Sequence, residues 1–334
     1  MTNKNRQVVF SGSQPTCNSL HLGNALGAII YWKKLQNNYE TYFCVVDQHA
    51  ITVMQNPNIL YNRTLNLAAQ YLALGISPVC SKVFIQSHIA EHSQLAWLLN
   101  CFASFGQISR MTQFKDRTQK NGAEASNVGF FTYPILMAAD ILLYNTNKVP
   151  VGKDQQQHLE LARNLANKFN FKFSDTFIIP EALIHKTSSK IYDLQNPLHK
   201  MSKSSISHAG SVLLSDESDL IYKKINSAVT DNYKEIQFNP RNQPGISNLL
   251  VIQSAITGIR IDTLVNHYSN YSYKNFKKDV AETVVEFISP IKIKVNYLLN
   301  NVDELKNILT VGAENAKSIA KDTLFKAYCK IGLL

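Results

Sequence analysis

At 334 residues the chain is long for one hydrophobic core, so a large domain with a smaller companion is expected. Its 45% hydrophobic and 17% charged residues exclude a disordered chain, and no apolar run approaches the ~20 residues needed to span a bilayer. A net charge of +10 suits a polyanionic partner, because neutralised phosphates release counterions, but the excess is shared between both halves and localises nothing.

The opening MTNKNRQ is short and polar and shows no leader pattern, so the cytoplasm is the expected compartment. Five cysteines, at 17, 44, 80, 101 and 329, form no C-x-x-C pair and no zinc-like spacing with histidine. Reduced thiols, mostly buried, and no structural metal are therefore expected.

Gln7 to Phe10 is a short β-branched and aromatic run, followed by turn chemistry at Ser11, Gly12, Pro15 and Asn18. A helical pattern then runs from near His21 through Trp32. A helix that opens on His and Gly after a strand presents backbone N–H groups and a positive dipole end, which suits a phosphate or an adenine. Gly23 lets a ligand approach the backbone closely.

Glu40 to Asp47 is a nearly continuous apolar strand of the kind buried in a parallel sheet. His49 follows at its carboxyl end, where ligands of open α/β sheets bind. Asn58 to Leu74 reads as an amphipathic helix closed by Gly75, Lys82 to Gln86 as another buried strand, and Ser93 to Phe105 as an apolar helix closed by Gly106. Arg110 to Asn127 is polar, basic and weakly periodic, and reads as a solvated loop.

Tyr133 to Tyr144 reads as a helix with Pro134 in its first turn. Tyr133, Met137 and Asp140 share one face of it, and the carboxylate is the exception on a face that otherwise reads as core. Such a group requires a donor. Val149 to Val151 is a short strand, Gly152 to Gln155 opens a helix that extends to about Phe169, and a Ser-, Lys- and Pro-rich linker starts near Ser174. Strands alternating with helices predict an α/β fold, a doubly wound parallel sheet. Beyond the linker, Asp219 to Val229, Ser247 to Thr257, Ile261 to Ser269, Asn275 to Ile288 and Ile291 to Lys330 are mainly helical by pattern, which predicts a smaller all-helical domain.

Inside the linker stands Lys200-Met201-Ser202-Lys203-Ser204, two lysines able to neutralise a polyphosphate. With the HLGN turn at His21 to Asn24, this KMSKS resembles the paired signatures of class I aminoacyl-tRNA synthetases. The S-G-x-Q-P ahead of HLGN and the block from Tyr133 to Tyr144 are similar to the bacterial-type tryptophanyl branch, over residues 8–330.

The resemblance implies a Rossmann-like catalytic domain over residues 1–190, with the segment near 110–127 closing near ATP and offering Lys115 and Arg117 to phosphate. It implies a KMSKS loop and helical anticodon-binding domain over 191–290, and C-terminal helices over 291–334 that pack back on the catalytic domain. ATP is expected to meet Gln14, Pro15, Thr16, His21, Gly23 and Asn24 on the first signature. It is also expected to meet Gly152, Lys153 and Asp154, the backbone of Ile191, and Lys200, Met201, Ser202, Lys203 and Ser204. Lys153 replaces the family's usual Glu, and Ser205 its usual Asp.

Lys200 and Lys203 are the expected catalytic residues. The tryptophan pocket is expected from Phe10, His49, Tyr133, Met137, Asp140 and Gln155, with Asp140 accepting the donor-only indole N–H. The implied reaction is ATP-dependent, Mg2+-assisted activation of L-tryptophan followed by transfer to tRNA(Trp), by a homodimer whose contact helix is Ser93 to Phe105. Lys223 and Lys224 are expected on the tRNA side; no iron–sulfur cluster, membrane or DNA partner is expected. The competing readings are a tyrosyl-tRNA synthetase and a non-catalytic RNA-binding paralogue.

Overall fold

A computed structural model describes residues 6–121, 127–152, 155–184, 190–202 and 208–334. Five parallel strands, β1 (Val8–Ser13), β2 (Glu40–Val45), β3 (Ser81–Ile85), β4 (Lys148–Pro150) and β5 (Glu181–Leu183), form one sheet in the order β3-β2-β1-β4-β5. The pairing runs from Val8 opposite Glu40 to Ser13 opposite Val45, and continues with Val45 opposite Ile85. The chain order reverses between β1 and β4, which opens a crevice at their carboxyl ends.

The pleat sorts the strand residues onto two cores. Val9, Phe43, Val45, Val83 and Ile85 face α1 (Leu22–Asn24), α2 (Ile30–Leu35) and α4 (Pro57–Ala73). Phe10, Tyr42, Cys44 and Phe84 face the opposite core, shared with α5 (Glu91–Asn100), α8 (Val128–Leu142) and α9 (Gln156–Phe173). Both faces are covered, as the unbroken apolar strands require. Between these elements lie α3 (Asp47–Ala50), α6 (Phe105–Ser109) and α7 (Thr112–Asn121).

The second half is helical: α10 (Ser218–Asn226), α11 (Pro244–Thr257), α12 (Ile261–His267), α13 (Tyr273–Asn300) and α14 (Val302–Ile331). Ile246, Leu249, Phe276, Val280 and Val284 extend the first core without a break. α14 instead returns to the sheet and joins the second core through Ala313, Ala316 and Ala320. It crosses the outer strand so closely that a Cβ on Gly312 would lie 2.0 Å from the Val83 carbonyl oxygen. Among the described residues no single helix is long and apolar enough to cross a membrane.

Several expectations require correction. Arg110 to Asn127 is not one loop, because its first part is α7, held by the ring of Phe114 against Phe131 and by Gln157 accepting the Thr112 N–H at 2.8 Å. The expected helix Ser93 to Phe105 is two helices: Ser104 caps α6, and Gly106 lies inside it. α8 starts five residues earlier than the pattern suggests, at a cap supplied by Asn127, so Pro134 sits within the helix. Pro290 likewise lies inside α13, which runs unbroken. The linker holds β5, a three-residue strand too short to give a periodic signal. Only Cys44 is buried; Cys80, Cys101 and Cys329 are exposed at a turn, a helix end and an outer helix face.

Candidate active site

The loop after β1 carries Gln14, exposed, Pro15, buried, and Thr16, half-buried, towards α1. It is fixed by Gln70, whose Oε1 accepts the Leu20 N–H at 2.8 Å, and by Arg63 donating to Asn18 Oδ1 at 2.8 Å. His21 stands at the helix N-cap in extended conformation, and its Nδ1 accepts the Asn24 N–H at 3.2 Å. The Leu22 N–H goes to the Val212 carbonyl at 2.8 Å, so the helix opening offers a ligand fewer free donors than the sequence suggests. From Leu22 the helix continues through a π turn at Ala25–Ile29 into α2.

Val212 to Leu214 lies against Leu20 to Leu22, with Leu214 N donating to the Leu20 carbonyl at 2.9 Å. The segment just beyond KMSKS is thereby tied to the first signature. Before it, Ile191–Asp193 and His199–Met201 form a narrow antiparallel pair: Asp193 N donates to His199 O at 2.8 Å, and Met201 N to Ile191 O at 3.0 Å. Asn248 of α11 clamps Tyr192 by donating to its carbonyl and accepting its N–H, each at 2.9 Å. Met201 and Ile191 are buried, Ser202 is half-buried, and Lys200 is exposed.

A second cluster is built around Asp140, 1% exposed on α8. His49 Nε2 meets its Oδ2 at 2.9 Å, while Gln86 Nε2 and His92 Nδ1 meet its Oδ1 at 2.7 and 2.6 Å. A carboxylate only accepts, so each of these nitrogens donates. Burial pushes the Asp140 carboxyl up, but the imidazoles of His92 and His49 more than offset this and hold it below the usual carboxylate range. Behind it, the Tyr144 hydroxyl bonds His92 Nε2 at 2.7 Å, and the Tyr144 ring stacks on Phe10 with centroids 5.6 Å apart. Burial pushes the Tyr144 hydroxyl well above its ordinary value, so it stays a neutral hydroxyl.

Tyr133 faces the His49 ring at 6.1 Å and ties α8 to its neighbours, its hydroxyl lying 2.6 Å from both Gln113 Oε1 and His158 Nε2. Met137 is half-buried on the same helix, and Gln155 occupies the N-cap of α9, with Gly152 accepting its N–H at 3.0 Å. Lys153, Asp154, Lys203, Ser204 and Ser205 lie outside the described residues, as does the Arg117 side chain; Lys115 is exposed on α7. Among the described residues no group of three or more His, Cys, Asp or Glu is placed to hold a metal ion.

Gln86, His92, Tyr144, Gln113 and His158 escaped sequence reading. Tyr144 closes the block that carries Asp140, and Gln86 follows β3 directly as His49 follows β2, so both lie where strand ends and the Asp140 block point. Lys224 requires correction: it is 5% exposed and bonds Asp216 Oδ2 at 2.6 Å and the Ser211 carbonyl at 2.9 Å, so it does not face a tRNA. Lys223 beside it is exposed.

A first signature at the opening of a helix, hydrogen-bonded to the segment that follows the second signature beside the switch point of a parallel sheet, defines a class I synthetase catalytic fold. The chain belongs to the family of class I tRNA synthetases (W and Y), whose model matches residues 2–289. It is 55% identical over 330 residues to the tryptophan–tRNA ligase of Mycobacterium leprae, covering 98% of this chain and 96% of that one. The crystal structure of the tryptophanyl-tRNA synthetase from Mycoplasma pneumoniae superimposes with a TM-score of 0.89 at 34% identity, covering 98% of each chain. That of the Campylobacter jejuni enzyme, complexed with ADP and tryptophan, superimposes with a TM-score of 0.85 at 33% identity, covering 98% of this chain and all of that one.

Proposed function

We infer that this chain activates L-tryptophan with ATP and transfers it to tRNA(Trp). The observation that carries the amino-acid choice is the buried Asp140 carboxylate, an acceptor with lone-pair capacity left after His49, Gln86 and His92 have bonded it. An indole N–H is donor-only and complements it; the family and the M. leprae relative support the same reading.

In the first half-reaction the tryptophan carboxylate attacks the α-phosphorus of ATP, forming tryptophanyl-adenylate and releasing pyrophosphate. In the second, the 2′-hydroxyl of the terminal ribose of the tRNA attacks the carbonyl carbon of the adenylate, forming the aminoacyl ester and releasing AMP. No side chain need act as nucleophile, because positioning and charge stabilisation carry such a transfer. Phe10, His49, Tyr133, Met137, Asp140 and Gln155 are assigned to tryptophan, and the His21–Asn24 turn, Gly152–Asp154, Ile191 and the KMSKS residues to ATP. Mg2+ enters with the triphosphate as part of the substrate.

Exposed Trp97 and Phe105, on α5 and α6, support a homodimer, since large aromatics gathered at a surface mark association sites. Residues 191–290 are assigned to the anticodon side, and the cytoplasm to the whole protein. ATP–pyrophosphate exchange measured with each amino acid tests the reading. Exchange that requires L-tryptophan is expected; exchange driven by L-tyrosine, or none at all, overturns it.

A further inference from the structure

The two oxygens of Asp140 are not equivalent. Oδ1 accepts from both Gln86 and His92, at 2.7 and 2.6 Å, whereas Oδ2 accepts only from His49, at 2.9 Å, among the described residues. With about two lone-pair directions per oxygen, Oδ1 is full and Oδ2 keeps one. The Oδ1 partners come from different elements, Gln86 from the turn after β3 and His92 from the first turn of α5. Both are 0% exposed, so neither is a contact to solvent.

His92 is also oriented from behind. Its Nδ1 carries a proton because it faces an acceptor-only carboxylate, so in the neutral ring Nε2 is an acceptor, and the Tyr144 hydroxyl 2.7 Å away donates to it. Tyr144 is itself held between Phe10 and Tyr42, stacked on both at centroid distances of 5.6 and 4.7 Å. A rotation of His92 would therefore break a hydrogen bond at each nitrogen.

We propose that His92 is a positioning residue for amino-acid selection: locked in one tautomer by Tyr144, it fills Oδ1 together with Gln86, so that the one open lone pair of Asp140 lies on the His49 side and requires a ring N–H. This rests on the tryptophan reading above. Without the His92 donor, Oδ1 is under-bonded, the carboxyl group is free to turn or to take up a proton, and a protonated carboxyl no longer demands a donor from the substrate. The penalty for a side chain lacking the N–H then shrinks, because that penalty is the cost of leaving a buried acceptor unpaired.

Pyrophosphate exchange with L-tryptophan and with β-(3-benzothienyl)-L-alanine, which carries sulfur in place of the indole N–H, tests this in the full-length protein. The ratio of the two kcat/KM values should favour tryptophan in the wild type and fall about tenfold or more in His92→Phe, through the KM for tryptophan and not that for ATP. His92→Asn, which keeps a donor near the Nδ1 position, should restore most of the ratio. Tyr144→Phe removes one hydroxyl and should lower the ratio in the same direction by less, so it decides the matter if His92→Phe does not fold. An unchanged ratio in a folded His92→Phe or Tyr144→Phe enzyme, with both amino acids losing activity alike, would make His92 structural and overturn the proposal. A wild-type protein without tryptophan-dependent exchange would overturn the functional reading instead, which the ratio does not touch.

Discussion

Gly23 and His21 approach closely at the helix cap: a Cβ on Gly23 would lie 3.0 Å from Nδ1 of the His21 ring, whereas it would meet Ile191 Cβ at an ordinary 3.5 Å. The missing side chain therefore leaves room for the imidazole that accepts the Asn24 N–H. Gly23→Ala should push the imidazole off the Asn24 N–H and slow tryptophan-dependent pyrophosphate exchange by about tenfold, the cost of one hydrogen bond at the site. Thermal unfolding should move little. If exchange is unaffected, the close approach is packing alone.

For Lys203 the expectation concerns the transition state. Negative charge moves onto the β,γ-phosphates as the α-phosphorus bond breaks, and a contact made only then appears in kcat. Lys203→Ala should slow activation by about 100-fold to 1,000-fold with a modest change in the KM for ATP. Transfer from preformed adenylate should be far less affected, since pyrophosphate has already left. Single-turnover measurements of both half-reactions check this, and a change confined to the KM for ATP contradicts it.

Lys223 and Lys224 are adjacent in sequence and should behave as different residues. Lys223→Ala is expected to raise the KM for tRNA and to leave pyrophosphate exchange intact, with wild-type tRNA binding weakening as salt is added. Lys224→Ala leaves Asp216 buried without its 2.6 Å partner and should cost about 3 kcal/mol or more in urea unfolding, because a lone buried charge is strongly unfavourable. Equal stability of the two variants would refute this division.

Asp140 should also give the protein an acid-sensitive increment of stability. Its folded carboxyl titrates below its unfolded one, so the contribution is fully present above the unfolded value of about 4 and is lost as pH falls towards the folded value. The stability gap between wild type and Asp140→Asn, measured by urea unfolding, should be flat near neutral pH and narrow below about pH 4. A gap that does not depend on pH would show that the charge of Asp140 contributes nothing to the fold.

Trp97 is 73% exposed on α5. Light scattering at micromolar concentration should find a dimer, and Trp97→Glu should shift it towards monomer by placing a charge in an apolar contact. An active wild-type monomer at that concentration contradicts the dimer.

Some of this was legible in the chain and some was not, for physical reasons. Tyr42 to Val45 announces a buried strand because every side chain in the run is apolar, and Asp140 announces itself because a carboxylate on a core face requires a partner. The partners were hidden. His92 is the second residue of α5, and a helix boundary read two residues too late placed it outside the helix altogether. α7 was hidden because almost every residue in it is polar and its support, Phe114 on Phe131, comes from another helix. The partner of Lys224 lies just ahead of α10, so the helix pattern showed a cation and not its pair.

The approach of Gly312 to the Val83 carbonyl has a consequence for the order in which the protein can be made. β3 is an edge strand of the sheet, and α14, which packs against it, leaves the ribosome after all the strands and helices described before it. Until α14 is in place, the β3 edge is open to pairing with another chain. Protection of that edge therefore waits for α14, and any side chain at position 312 would hold this helix away from the strand.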